Sequence, residues 1–246
     1  SYSDYIQRHI FDPLDMRHSY TSKTAAQQDS LAMGHRYWFG FPISVRNLPV
    51  PVGSLPSGQL ISSAEDMGHY LIAQLNGGRY GDVQLLSGAG IREMHLGAAE
   101  IREMRSSFGF YGMGWIDQES VKSRIVSHSG IVPDFSAFMA LVPGQNKGIL
   151  LLVNANHALV KMTLDEVGLT AAQLLAQVEH LADAGVQVGL VDRLVQAAGD
   201  RLHVATGQAA VRVQPLVDDA QVAGLLEHVG VAQGQESADV DQRILL

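Results

Sequence analysis

The 246-residue chain contains no cysteine. That excludes disulfides, thiolate-held metals and a cysteine nucleophile. Long apolar runs are missing too: the longest clean aliphatic stretch, residues 149–153, falls far short of the roughly 20 residues of a spanning helix, so no transmembrane segment is expected. Basic charge is scarce. Lys and Arg number 17 against 25 Asp and Glu, for a formal net charge of −8. Residues 160–246 hold 12 of those acids and only 5 of the bases. A chain so balanced has little with which to displace counterions from a phosphate backbone, so nucleic acid is excluded as a partner. Aromatic residues stop at Phe138. The ten histidines include no His-x-His and no His-Glu-x-x-His, so neither a metal nor a cofactor is expected. Neither a Gly-x-x-x-x-Gly-Lys-Ser/Thr phosphate loop nor a Gly-x-Ser-x-Gly nucleophile elbow occurs.

What is present reads as a globular core. Hydrophobic residues make up 46% and charged residues 17%. The opening, SYSDYIQRHIF, enters helix spacing at once over residues 3–11, capped by Ser3 or Asp4 and ended by Pro13. It carries no Met and no leader pattern, and the chain is expected to be a fragment or a processed product. Residues 34–60 place proline and glycine among aromatics and predict an ordered loop or short strands. ISSAEDMGHYLIAQLNGG predicts a helix capped by Ser62 or Ser63, with Glu65 or Asp66 closing a capping box. Its buried stripe is Met67, Tyr70, Leu71 and Leu75, and Asn76, Gly77 and Gly78 stop it. A second helix is expected after Ser87 with Ile91 and Met94 inward, and YGMGW, residues 111–115, marks a strand entry. Strands are predicted at 124–127, 135–142 and 147–154, the last two joined by Pro143, Gly144, Gln145 and Asn146. The unbroken run Leu150, Leu151, Leu152 and Val153 predicts a central strand covered on both faces. Residues 163–183 read as an amphipathic helix with Leu164, Val167, Leu174, Leu175, Val178 and Leu181 as its core face. The remainder mixes short helix and strand signals. The boundaries that follow are a main unit over 1–159 and, over 160–246, a helix plus an appended tail or small subdomain.

Between the first two of those strands stands His128-Ser129-Gly130. Alone, such a triplet is more often a turn than a site. In order along residues 1–156, however, YIQRHIFDPLDMRHS, GHRYWFG, LPSGQLISSAEDMGHYLIAQLNGG, LLSGAGIREMH, YGMGW, HSG and PGQNKGILLLVNAN together resemble the serine β-lactamase-like hydrolases. That family groups class C β-lactamases, D,D-peptidases and related esterases and aminopeptidases. The resemblance implies an α/β (α+β) fold, an antiparallel sheet flanked by helices, incomplete at its N-terminus. It also implies a nucleophilic serine on a Ser-x-x-Lys helix, a Tyr-x-Asn loop, and a Lys-Thr-Gly or His-x-Gly motif on an edge strand. Only the third is matched. By resemblance, His128 takes the place of the cationic or hydrogen-bonding residue facing the nucleophile. Ser129 offers a hydroxyl to a substrate carboxylate or carbonyl, Gly130 leaves room for substrate, and the Ile131 N–H is an oxyanion donor.

The other two motifs are absent. Lys23, Lys122, Lys147 and Lys161 are preceded three residues earlier by Tyr20, Glu119, Gly144 and Ala158, and no Asn follows a Tyr at the required spacing. The expectation is one wall of an active site whose nucleophile lies on a missing N-terminal portion of the same domain. Adjacent strand residues point to opposite faces, so His128 and Ser129 are not expected to couple with each other. The implied substrate is a small-molecule or peptide amide or ester, and the implied compartment lies outside the cytoplasm. The alternative is a non-catalytic binding or scaffolding module that retains the fold.

Overall fold

The computed structural model describes residues 1–39, 41–45, 52–103, 106–119 and 123–176, together with strand backbone at 202–206, 209–213 and 244–245. In chain order the elements are α1 (Tyr2–Ile6), α2 (Lys23–Gln28), β1 (Gly34–Trp38), β2 (Phe41–Val45), β3 (Ile61–Ser62), α3 (Ala64–Leu75), β4 (Arg79–Tyr80), β5 (Val83–Gln84), α4 (Gly88–His95), β6 (Ala99–Glu103), β7 (Ser106–Tyr111), β8 (Ile116–Glu119), β9 (Arg124–Val132), β10 (Phe135–Val142), β11 (Lys147–Val153), α5 (Ala158–Leu175), β12 (Leu202–Thr206), β13 (Ala209–Val213) and β14 (Ile244–Leu245). Strands β6 to β13 form one antiparallel sheet in the order β13-β12-β11-β10-β9-β8-β7-β6, so every neighbour in the sheet is also a neighbour in sequence. This is the expected antiparallel sheet with helices on both faces.

Period-two alternation explains the layering. Phe138, Ala140 and Val142 of β10, with Ile149 and Leu151 of β11, face α5 and pack on Leu164, Ala172 and Leu175. Leu141 of β10 and Leu150 of β11 face the other way, onto Met67, Leu71 and Ile72 of α3 and onto Ile6 and Phe11 near the N-terminus. The apolar run in β11 is therefore covered on both sides, as its composition predicts.

Local chemistry sets the helix ends. Ser63 caps α3 by accepting from the Asp66 N–H at 3.1 Å, and Gly77 and Gly78 follow at positive φ. The Asp66 carboxylate does not reach back to the cap. It turns instead to the chain before α2, accepting from the His18 N–H and the Ser19 hydroxyl, both at 2.7 Å, and so ties the first segment to α3. Burial raises the Asp66 pKa against the pull of these donors. Ser1, not Ser3 or Asp4, caps α1, which passes into a π-helical turn at Gln7–Phe11. α5 starts five residues before the expected 163 because the His157 side chain caps it. Val178 and Leu181 lie outside the described residues.

Within residues 34–60, expected as an ordered loop or short strands, β1 pairs with β2 as a hairpin. One further difference matters. β9 does not stop at Ser127: it runs through His128, Ser129 and Gly130 to Val132, because pairing with β10 from Leu141↔Val126 to Phe135↔Val132 holds these weak strand formers extended. The reversal falls at Pro133 and Asp134, the latter at φ +70°. β12 pairs with β11 and β13 with β12, which continues the sheet beyond β11.

Gly168, mid-helix in α5, is explained by contact. A Cβ there would lie 2.2 Å from the Phe138 ring. Gly168→Ala is therefore expected to destabilise: overpacking costs about 1–3 kcal/mol and outweighs the better part of 1 kcal/mol of helix propensity gained. A urea titration giving an unchanged or raised midpoint contradicts this.

His95 is buried at the end of α4. Its Nε2 lies 2.8 Å from Gln74 Oε1, and its ring stands edge-on to Trp115, itself 2% exposed. Burial, helped by the Arg124 charge, lowers its pKa to about 4. The unfolded chain takes up a proton near pH 6.5 and the folded chain only near 4. Protons therefore favour unfolding, and stability falls as pH drops through that window, by up to about 3 kcal/mol. His95→Phe is expected to flatten the fall in urea midpoint between pH 7 and pH 4.5. An equally steep fall in the variant assigns the acid sensitivity elsewhere.

Candidate active-site rim

β9 is nine residues long and β8 is four. β8 pairs with β9 only from Glu119↔Arg124 to Ile116↔Ser127. Residues 128–132 therefore run on past their neighbour. Among the described residues no strand pairs with that side of them, and their backbone forms a short open rim. All four sequence-predicted site residues lie on it. His128, Ser129 and Gly130 are half-buried, and Ile131 is 50% exposed.

The two faces of the rim differ. Cross-strand partners share a face. His128 lies opposite Met139, on the α3 side of the sheet, and Ser129 lies opposite Phe138, on the α5 side. The expected divergence of the two side chains is what the strand imposes. On the first face, His128 Nε2 lies 3.3 Å from the hydroxyl of Tyr111, the last residue of β7, with the rings edge-on at 6.2 Å. Burial, followed by the positive charge of Lys161, holds the His128 pKa below 6.5. On the second face, Lys161 Nζ in the first turn of α5 donates to Ser129 Oγ at 3.0 Å. The same ammonium pairs with Asp165 one turn further on. Sequence reading missed both Tyr111 and Lys161. Tyr111 carries a signal of sorts, since it directly precedes the glycine turn that enters β8. Lys161 carries none, because its distance from Ser129 depends on how α5 packs.

The end of the rim is fastened. Arg36 of β1 grips the buried Asp134 carboxylate through two nitrogens, one at 3.0 Å to Oδ2. Asn156 Nδ2 donates to the Val132 carbonyl at 2.8 Å. A separate cavity of about 530 Å³ lies on the α5 side of the sheet, lined by Leu96, Phe110, Asp117, Ile125 and Leu169 among others. It does not include the triplet, and its carboxylate Asp117 is engaged by Arg124 at 2.7 and 2.9 Å. No group of three or more His, Asp or Glu able to hold a metal occurs among the described residues.

An antiparallel sheet between helical layers is the architecture of a β-lactamase-like domain. The chain belongs to the Beta-lactamase family, whose profile matches residues 1–173. Its relatives include Protein flp of Staphylococcus aureus strain MW2, 27% identical over 173 residues, which are 68% of this chain and 32% of that protein. Solved structures that share the fold include the two that follow. The octameric penicillin-binding protein homologue from Pyrococcus abyssi has a TM-score of 0.56 and 21% identity, over 89% of this chain and 52% of its own. A class C beta lactamase from Rhodobacter sphaeroides has a TM-score of 0.55 and 18% identity, over 74% and 55%. The chain thus spans about a third of Protein flp and about half of either structure. Among the described residues no helix is long and apolar enough to cross a membrane.

Lys161→Met is expected to raise the His128 titration midpoint, because it removes a nearby positive charge, and Lys161→Arg is expected to change it far less. Proton NMR of the histidine C2–H signals reads this directly. A midpoint unmoved by Lys161→Met means that the ammonium does not act on the ring.

Proposed function

We propose that this chain supplies one wall of the active site of a serine hydrolase. The enzyme would cleave an amide or ester (a β-lactam, a D-amino-acid peptide or an ester) through an acyl-enzyme, with the nucleophile on polypeptide outside these 246 residues. The observation that carries the reading is the open rim at residues 128–132, where a bound acyl group can lie along free strand edge. Family membership supports the hydrolase class, and the lack of any Ser-x-x-Lys supports placing the nucleophile elsewhere.

In this reading the roles are those that the resemblance implies, and the local chemistry suits them. With its pKa held down, His128 is neutral at pH 7 and acts as a hydrogen-bonding group facing the nucleophile, not as a fixed cation. Ser129 accepts from Lys161, which leaves its own O–H to donate to a substrate carboxylate or carbonyl oxygen. Gly130 leaves the strand surface clear for substrate. The Ile131 N–H is one oxyanion donor, an interaction whose loss typically lowers rate about 10²- to 10³-fold. An acyl-enzyme needs an activated nucleophile and a base, and the other wall would provide both. The compartment that suits such substrates lies outside the cytoplasm.

The test is covalent labelling. This chain is expected to take no label from a fluorescent penicillin or a fluorophosphonate. A longer polypeptide from the same reading frame that contains Ser-x-x-Lys is expected to be labelled, about 100-fold more slowly as its His128→Ala variant. Stoichiometric labelling of the present chain refutes the external nucleophile. An upstream reading frame lacking Ser-x-x-Lys and Tyr-x-Asn favours the non-catalytic binding module.

A further inference from the structure

The β1–β2 hairpin projects from the sheet end that carries the rim, and it bears large apolar side chains in solvent. Trp38 is 66% exposed, Phe39 89%, Phe41 71% and Ile43 48%. From Tyr37 to Val45 no residue is charged. The side chains of Phe41, Pro42, Ile43 and Ser44 are all exposed, so both faces of β2 are open to water. Phe39 sits at φ +50°, and Trp38 meets it edge-on at 5.4 Å. The root, by contrast, is rigid. Arg36 is clamped to Asp134, the His35 N–H donates to the Asn154 carbonyl at 2.9 Å, and a Cβ on Gly34 would lie 2.6 Å from Asp134 Cβ. The result is an arm fastened at its root, without charge from Tyr37 to Val45 and with an aromatic end.

We propose that this arm is a shallow lipid anchor, which seats Trp38, Phe39, Phe41 and Ile43 just beneath the headgroups of a bilayer and leaves the body of the domain in water. Three observations favour lipid over a protein partner. The exposed apolar area of the four side chains is on the order of 500 Å², at the top of what a monomer shows yet well short of the about 800 Å² per partner of a stable dimer. A protein partner covers one face of a hairpin, whereas an acyl-chain medium covers both faces that β2 exposes. Trp is also a side chain enriched at the headgroup boundary, and Phe is among the apolar groups that interfacial segments bury just beneath it. Insertion is shallow because, among the described residues, no third strand pairs with β1 and β2 beyond the His35–Ala155 bridge, and their outer N–H and C=O groups must stay within reach of water or headgroups. The arm carries no charge and the chain has a net charge of −8, so attraction comes from apolar burial and not from anionic lipid.

The chain has only two tryptophans, Trp38 and the buried Trp115, so intrinsic fluorescence reports on the arm once a Trp38→Phe variant has been subtracted. The experiment adds phosphatidylcholine vesicles, and separately vesicles containing phosphatidylglycerol, to the full 246-residue chain. With phosphatidylcholine the Trp38 emission is expected to move to shorter wavelength and to be quenched more by bromines high on the acyl chain than by deep ones. Binding to the anionic vesicles is expected to be no tighter. Phe39→Ser with Phe41→Ser is expected to weaken partitioning about 10-fold or more, because it removes two of the four inserted groups. Both sites are exposed, so circular dichroism and the Trp115 emission should be unchanged. An unmoved Trp38 spectrum at saturating lipid overturns the proposal. So does partitioning that the double substitution leaves intact, or binding confined to anionic vesicles. A Trp38 shift that depends on protein concentration without lipid, with a dimer in sedimentation lost in the double variant, assigns the arm to a second copy of this chain instead.

Discussion

The mismatch in length between β8 and β9 governs the rest of the structure. A nine-residue strand flanked by a four-residue one must leave part of its edge without a ladder. Proteins normally blunt such an edge. Here the edge is kept straight on its other side by continuous pairing with β10 and is held at its end by Asp134 and Asn156. The open segment therefore keeps a fixed shape although, among the described residues, no strand pairs with it.

That fixed shape depends in turn on the layers behind it. β10 and β11 are covered by α3 on one face and α5 on the other, so a slip of one residue would swap the side chains fitted to α3 with those fitted to α5. The register of β10 fixes which way His128 and Ser129 look. Each then meets a different environment, Tyr111 on one side and the Lys161–Asp165 pair on the other. The alternation that builds the core thus also separates the two polar side chains of the rim.

Much of this was legible in the residues. α3 announces itself through Ser63 at one end and Asn76, Gly77 and Gly78 at the other, and the β10–β11 hairpin through its apolar runs and the loop from Pro143 to Asn146. These signals are local, and local signals survive folding. The continuation of β9 through His128, Ser129 and Gly130 was legible only through the resemblance, which puts a His-x-Gly motif on a strand; read locally the strand stops at Ser127, because those residues have little strand preference of their own and are held extended by β10. Nor was the start of α5, since a histidine cap is a weak cue. β12 and β13 come from a stretch without aromatics, where Ala, Val and Gln suit helix or strand about equally. The Lys161–Ser129 contact spans 32 residues and exists only once α5 has docked.

Gly168 and Lys161 are seven positions apart on α5, two turns along one side of the same rod. The missing methyl at the first lets the rod settle against the Phe138 ring, and Phe138 is the cross-strand neighbour of Ser129. The separation between rod and sheet is thus set where no polar atom is involved, yet it fixes how far the ammonium must stretch. A bulkier residue at position 168 would lengthen that stretch and loosen the hold on the serine oxygen without touching either group.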